Sequence, residues 1–434
     1  MSGLLGCAVA VAGVGWTGAS APAPGHVTPP GGSPPRTGQA DWRFEGEYGL
    51  HVALAGRDLE VRWLTEEEQS GRVRLIVNGR VVAEQTTDPG YAHAAQLQVR
   101  APEITLEYGV EHADGTGGAA ALHRTRIWME APSPEVDLRG HDSVFVFGDV
   151  HGEFDRVVSL LGLAGLIDAE LRWTGGRAVV AFLGDLFDRG EDVTRLLWFI
   201  YGLEREALAA GGRVVTLLGN HEVMVLSADL RYVAPKEQTI GDRHGMSYEA
   251  LFDLDTSILG RWIAAKPGLI RLEDLLFAHG GVSPAYVDYS LEEYQDTLET
   301  YIAEPLFKRW RDGGFLREFA RETRLDSAQI YRRYDFFFGP ESVLWYRDLV
   351  LADTLGDHLD TVLERFEADI HVVGHTPVRT IRESYGGKLI AADLLDAAAE
   401  MLRLIRRPDG DWHRAVIGLD GGTAPLGSVA DPGA

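Results

Sequence analysis

The chain has 434 residues, 45% of them hydrophobic, and a formal net charge of −24. That length accommodates two domains plus tails around a sizeable core, and the acidic surplus excludes broad binding to nucleic acid phosphates, which needs a basic face. A single cysteine, Cys7, excludes intrachain disulfides, so stability rests on packing and on metal.

Residues 4–21 (LLGCAVAVAGVGWTGASA) are small and apolar and resemble the middle and end of a secretory signal or a short membrane anchor, although no Lys or Arg precedes them. Export to the periplasm, the cell envelope or the medium is therefore expected, with membrane association only through this segment. A cytoplasmic protein with an Ala/Gly-rich start is the alternative. Residues 22–40 hold six of the 19 prolines with Gly, Ser and Thr, a linker composition, so 1–40 is set apart from the folded chain. From 41 to 135 short alternating stretches (LHVALAG, LEVRWLT, RVRLIVNG, AQLQVRA, ITLEYGV, RTRIWME) are divided by Gly, Asp and Pro. Asn78-Gly79 reads as a hairpin turn, whose two central positions need positive φ. Strands at this spacing predict an immunoglobulin- or fibronectin-like β-sandwich with nothing catalytic in it. APSPEVDLRGHD at 131–142 is a plausible interdomain linker.

Residues 143–406 read as an α/β catalytic domain and 407–434 as a C-terminal tail. Five apolar runs each end on a potential metal ligand: VFVFGDVHG at 144–152, VVAFLGD at 179–185, VVTLLGN at 214–220, LLFAHGG at 275–281 and HVVGHT at 371–376. Each run suffices for one buried strand, which gathers Asp149, His151, Asp185, Asn220, His279 and His375 at the carboxyl edge of a sheet. A lone Asp after a strand is ordinarily a turn residue or a helix cap. The recurrence is what points to a metal centre. Gly148, Gly152, Gly184, Gly219 and Gly280 fit a backbone that turns sharply at a crowded site. Val157, Leu160, Leu161 and Ala164 share one helical face, as do Val193, Leu196, Leu197 and Ile200, giving a βαβ rhythm.

The ligand types are imidazole, carboxylate and amide without thiolate, which suits manganese, iron or zinc. His221 directly follows Asn220 and is placed to give a proton to a leaving group. The segments between GNHE and HGG and between HGG and LWYRD read as helical insertions. In the second, Tyr331, Tyr334, Phe336, Phe337 and Phe338 form either core or a cap with a ring platform near Phe336. His244 and His371 read as structural.

GDVHG, GDLFDRG, GNHE and HGG, followed by GHT, closely resemble the ordered signature of the phosphoprotein phosphatase branch of the calcineurin-like metallophosphoesterases. GPESVLWYRD at 339–348 and VVGHTPV at 372–378 look like segments of the Shewanella-like phosphatases, and the resemblance spans about 143–396. It implies a four-layer α/β-β/α metallophosphoesterase domain after the N-terminal β-sandwich. Two departures stand out. Pro377 replaces the second histidine of the Gly-His-x-His ending found in many metallophosphoesterases, and GGKLIAADLLD at 387–396 stands where eukaryotic serine/threonine phosphatases carry SAPNYC.

By similarity to the family, one metal takes Asp149, His151 and Asp185 and a second takes Asp185, Asn220, His279 and His375. Asp185 has oxygens enough to bridge two divalent or trivalent ions ~3.5–4 Å apart, which would activate a hydroxide for in-line attack. The resemblance further makes Asp188 the carboxylate that orients His221. Arg189 and Arg347 are the phosphate clamps, a guanidinium matching two phosphate oxygens. A phosphomonoesterase acting on phosphoprotein or a small phosphomonoester is expected, with phosphotyrosine favoured over phosphoserine or phosphothreonine and the oligomeric state left open. The alternatives are a nucleotide or dinucleoside-polyphosphate pyrophosphohydrolase and, outside enzymes, an envelope binding or adhesion protein.

Overall fold

The computed structural model describes residues 49–111, 122–130, 133–304, 307 and 325–427. The signal-like segment, Cys7, the proline-rich linker and residues 428–434 lie outside the described residues. Among the described residues no helix is long and apolar enough to cross a membrane.

The N-terminal region contains β1 (His51–Ala55), β2 (Asp58–Val77), β3 (Arg80–Gln98), β4 (Glu103–Glu111) and β5 (Leu122–Trp128). They form a single five-stranded antiparallel sheet, which corrects the expectation of two facing sheets. The reason lies in β2 and β3. The polar stretches around Glu66–Ser70 and Thr87–Gly90, which read as turns, instead pair across one long hairpin with register shifts at Leu64/Gln69 and Ser70/Arg72. A bulged ladder tolerates polar residues on its open face. The hairpin turn sits where expected, with φ of 49° at Asn78 and 75° at Gly79.

This sheet is bonded directly to the catalytic domain. Leu54 N–H donates to Thr256 O at 2.7 Å, the buried Trp198 indole donates to Leu50 O at 3.0 Å, and Trp128 N–H donates to the Tyr201 hydroxyl at 2.9 Å. His244 is structural as expected, its Nε2 donating to Gly49 O at 2.9 Å, with burial pulling its pKa down to about 4.

The catalytic domain is built on two six-stranded mixed sheets. Its strands are β6 (Asp137–Leu138), β7 (Ser143–Phe147), β8 (Val179–Phe182), β9 (Arg213–Thr216), β10 (Leu269–Leu272), β11 (Leu275–Ala278), β12 (Ile370–Val373), β13 (Arg382–Ser384), β14 (Leu389–Ala391), β15 (Glu400–Arg406), β16 (Trp412–Gly418) and β17 (Thr423–Pro425). The orders are β17-β16-β15-β7-β8-β9 and β13-β14-β12-β11-β10-β6. β16 and β17 place two strands beyond Arg406, in the stretch read as tail. Ala415 and Ile417 are buried on one face of β16 and Trp412 on the other, a pattern hidden by the charged residues between them.

Strands β8, β11 and β12 are buried at every position, as central strands covered on both faces must be. Helices α1 (Phe154–Leu163) and α2 (Val193–Ala209) follow β7 and β8, and each buries one apolar stripe. α2 lies against β9 in the first sheet. Four further helices follow: α3 (Asn220–Leu226), α4 (Pro235–His244), α5 (Ile258–Ala264) and α6 (Leu291–Ala303), the last against β10 in the second sheet. In α7 (Ser327–Phe338), Phe336 and Phe337 are buried while Tyr331 and Tyr334 face outward. Phe336 is thus a core residue stacked on Tyr294 and is not itself open to a substrate ring. His371 is buried within β12, its Nδ1 donating to Leu276 O at 3.0 Å.

Candidate metal centre and active site

The loops after β7, β8, β9, β11 and β12 converge, so the carboxyl ends of both sheets face one another across the site. Backbone bonds lock the loops together. Val150 and His151 N–H donate to Asp185 O at 3.2 and 2.9 Å, and His375 N–H donates to Asp149 Oδ1 at 3.0 Å. Gly219 could carry no Cβ, because that atom would collide with the Asp185 carboxylate and backbone nitrogen. His151, Asp185, Asp188, Arg189 and His375 all hold left-handed backbone, with φ between 43° and 68°. For residues with a Cβ this is strained and persists only where surrounding bonds enforce it.

All six sequence-derived ligand residues are buried and brought together. The ligand atoms of Asp185, His279 and His375 lie within 4.8 Å of one another, and so do those of His151, Asp185 and His221. Asp149 Oδ2 is 4.0 Å from His151 Nε2, and Asn220 Oδ1 is 2.9 Å from His279 Nε2. The far ring nitrogens are anchored. His151 Nδ1 donates to Phe187 O and His279 Nδ1 to Leu183 O, each at 2.8 Å, so the Nε2 side of each ring faces the site. His151 Nε2 and His375 Nε2 are buried without any hydrogen-bond partner. Burial pushes His151 down to about 3 and His375 well below the usual imidazole range, leaving both as neutral donors. Two orphaned lone pairs beside buried carboxylates suit divalent ions.

The carboxylates carry the same message. Burial, then the nearby Asp393 and Asp185, raises Asp149 far above the usual carboxylate range. Burial works against an ionised Asp185 as well, but His279 and His221 outweigh it and hold that group low. His279 is itself lifted to about 10 by Asp185 and Asp149 in spite of burial. Positive charge is what this cage requires.

Proximity alone would admit His221 as a ligand in place of Asp149, yet its bonds argue otherwise. His221 Nδ1 is 2.5 Å from Asp188 Oδ2, and Nε2 meets the Arg189 guanidinium at 3.3 Å. A guanidinium cannot share a nitrogen lone pair with a cation. Burial disfavours the imidazolium, but Asp185 and Asp188 offset this and raise the His221 pKa above its ordinary value. A cation on Asp185 would weaken that carboxylate's share and leave Asp188 as the main partner. Arg189 is exposed at the mouth, while half-buried Arg347 donates from Nη1 to His375 O at 2.7 Å.

Three residues escaped the sequence reading as parts of the site. Asp393, 4% exposed just after β14, interacts with Asp149 and Asp185; burial, then Asp185, raises it to about 7. Its signal was present, since KLIAAD is another apolar run ending in Asp. Glu222 closes the GNHE motif. It accepts from the backbone N–H groups of Asp185, Leu186, Phe187 and Gly219 at 2.8, 2.6, 3.3 and 2.7 Å, tying the second loop to the start of α3. Tyr232 sets its ring edge-on to His221 at 5.4 Å and its carbonyl accepts from Arg189 N–H. Nothing in its local sequence marks it.

Comparison with known proteins bears on the family of the chain. The Arabidopsis thaliana protein Shewanella-like protein phosphatase 2 is 42% identical over 202 residues, covering 37% of this chain and 52% of that protein. Shewanella-like protein phosphatase 1 of Plasmodium berghei (strain Anka) is 23% identical over 254 residues, covering 55% of this chain and 62% of the relative. The chain thus spans a little over half the length of these relatives. The crystal structure of the cold-active protein-tyrosine phosphatase of a psychrophile, Shewanella sp., superimposes with a TM-score of 0.64 at 25% identity, covering 87% of this chain and 98% of that one. The model of the calcineurin-like phosphoesterase family matches residues 143–379, more than half of the chain, and the protein belongs to that family.

Proposed function

We propose that the protein is a metal-dependent phosphomonoesterase, acting on phosphoprotein and preferring phosphotyrosine or another aryl phosphate. The observation that carries this reading is the placement of the Asp188–His221 pair and the Arg189 guanidinium directly beside the His/Asp cage. Asp149, His151 and Asp185 would hold one ion, and Asp185, Asn220, His279 and His375 a second. When bound, such ions supply a hydroxide nucleophile at neutral pH and offset the charge that develops on phosphorus.

The chain's own residues do the rest. Arg189 and Arg347 fix the phosphoryl oxygens with paired donors. With the guanidinium turned to phosphate, His221 Nε2 is free to carry a proton and release it to the departing oxygen, while Asp188 holds the Nδ1 side and the ring's orientation. The left-handed backbone at Asp188 and Arg189 sets both groups on the same side of the loop, a geometry an unstrained loop would not hold.

The phosphotyrosine preference is supported by the Shewanella enzyme's activity and by aromatic residues beside His221. The test is metal analysis followed by kcat/KM on matched phosphotyrosyl, phosphoseryl and phosphothreonyl peptides, with a dinucleoside polyphosphate alongside. The phosphotyrosyl peptide is expected to be the best substrate. Preference for a hydroxy-alkyl phosphopeptide would overturn the tyrosine assignment alone, and preference for the polyphosphate would replace the phosphatase with a pyrophosphohydrolase.

A further inference from the structure

We infer that Glu237 is a positioning residue for the reaction: from the first turn of α4 it grips the start of α2 and so fixes the loop that aims Asp188 at His221 and Arg189 at the phosphoryl group. This deepens the phosphatase reading and rests on it.

The loop needs a hold from outside. Asp188 and Arg189 are left-handed, with φ of 68° and 63°, a strain that relaxes unless neighbouring bonds oppose it. Shortly after them α2 begins at Val193, and its N-cap residue Asp192 makes no side-chain cap bond. Asp192 Oδ1 accepts instead from Lys236 Nζ at 2.8 Å. The helix start is served by Glu237, which stands in for the missing cap. Thr194 N–H is shared between the two Glu237 oxygens at 3.2 and 3.3 Å, and Thr194 Oγ1 donates to Oε2 at 2.5 Å. The Tyr248 hydroxyl donates to the same oxygen at 3.3 Å and steadies the carboxylate from behind. A carboxylate in this place also meets the positive end of the α2 dipole.

A third hold comes from the same stretch of chain, because Arg189 N–H donates to Tyr232 O at 2.9 Å. Residues 232–237 therefore secure the loop at Arg189, Asp192 and Thr194. On the opposite side the loop lies against the first metal loop: a Cβ on Gly190 would collide with His151 O, and one on Gly152 would come within 2.8 Å of Val193 Cγ2. Pinned between these two walls, the loop can move only if one of them lets go. Glu237 is 0% exposed, and burial raises its pKa to about 7 against the pull of Thr194. A carboxylate this costly to bury is retained where its bonds hold something an apolar side chain would release.

The test compares Glu237→Ala, Glu237→Gln and Thr194→Val with wild type. Measured are metal content, amide hydrogen exchange of residues 188–194, the inhibition constant for inorganic phosphate, and kinetics on an alkyl phosphate and on p-nitrophenyl phosphate. In Glu237→Ala, exchange of the loop should quicken roughly 10- to 100-fold while metal is retained. KM and the phosphate inhibition constant should rise together by roughly 3- to 10-fold, and kcat should fall further on the alkyl ester, which depends on a well-aimed His221. Thr194→Val should show the same changes on a smaller scale, and Glu237→Gln, which keeps an acceptor for Thr194 N–H, should recover most of the loss. An equal fall in kcat on both esters with phosphate inhibition unchanged is what a smaller folded fraction gives, and it would overturn the positioning role while leaving the phosphatase standing. Should Glu237→Ala not fold, Thr194→Val decides by the same readouts. If wild-type protein hydrolyses neither ester, the phosphatase reading fails, and exchange still judges the grip: unchanged protection of residues 188–194 in Thr194→Val and Glu237→Ala overturns it.

Discussion

Arg72, Arg74 and Glu84 pair across the β2–β3 ladder with between 23% and 35% of each side chain exposed, whereas Asp149, Asp185 and His279 at the catalytic edge are 4% exposed or less. The hairpin charges meet their partners in water, so their geometry is regular and their contribution small. The catalytic charges are held out of water by loops they could not have organised themselves. Like-charged carboxylates crowd one another, and five backbones sit in the left-handed region to aim the side chains inward. The teaching is that clustered charge reports function only where burial makes it costly and the protein has spent packing and hydrogen bonds to keep it there.

The largest effect is expected at Asp185, which both proposed ion sites share. Asp185→Asn should lose most bound metal and lower kcat/KM by at least roughly 10³-fold. Elemental analysis finding full occupancy and near wild-type turnover would break the contrast at its centre. Next comes His221. With metal retained, His221→Asn should reduce kcat by roughly 10²–10⁴-fold on an alkyl phosphate and less on p-nitrophenyl phosphate, whose phenolate departs with little need of a proton. An equal deficit on both substrates would assign His221 to positioning rather than proton donation.

Glu222 sharpens the comparison by separating stability from chemistry. Glu222→Ala leaves the N–H groups of Gly219, Asp185 and Leu186 buried without acceptors, which should lower unfolding free energy by about 3–5 kcal/mol in denaturant titrations. A loss indistinguishable from that of an exposed substitution would show that the loops are not braced from within. The smallest effect belongs to the hairpin. Glu84→Ala should move the melting temperature by no more than about 2 °C, and added salt should remove most of that shift. A drop as large as that of Glu222→Ala would mean that the exposed ladder matters as much as the buried site.

Much of the site was legible because chemistry placed it directly after buried strands. A run of apolar residues ending in Asp, Asn or His is visible without a fold, but β7, β8 and β9 end in one sheet and β11 and β12 in the other, so the site lies between two sheets and not at the edge of one as the runs alone predict. Asp393 obeys the same rule after β14, in the stretch that stands where eukaryotic serine/threonine phosphatases carry SAPNYC. What sequence could not convey was contact between distant parts. The Tyr232 ring on His221 and the Glu222 clasp on the Asp185 loop depend on how α3 and its following turn are laid across the site. Along α7 the pattern YRRYDFFF conceals which rings point inward, and there Phe336 and Phe337 are core while Tyr334 faces outward. In the N-terminal sheet, polar runs such as Glu66–Ser70 interrupt the alternation of apolar residues, and a long bulged hairpin carries them within one ladder.

The bonds from Leu50 and Leu54 to Trp198 and Thr256 bear on where the smallest autonomous fold begins. The family match starts at residue 143, but the described residues from 49 onward fall in one compact unit. Trimming the chain to the matched region would strip the acceptor from a buried tryptophan indole and uncover the α2 face that carries Trp198 and Tyr201. The two regions should therefore unfold in a single cooperative transition, and the boundary of inherited chemistry is not the boundary of the folding unit.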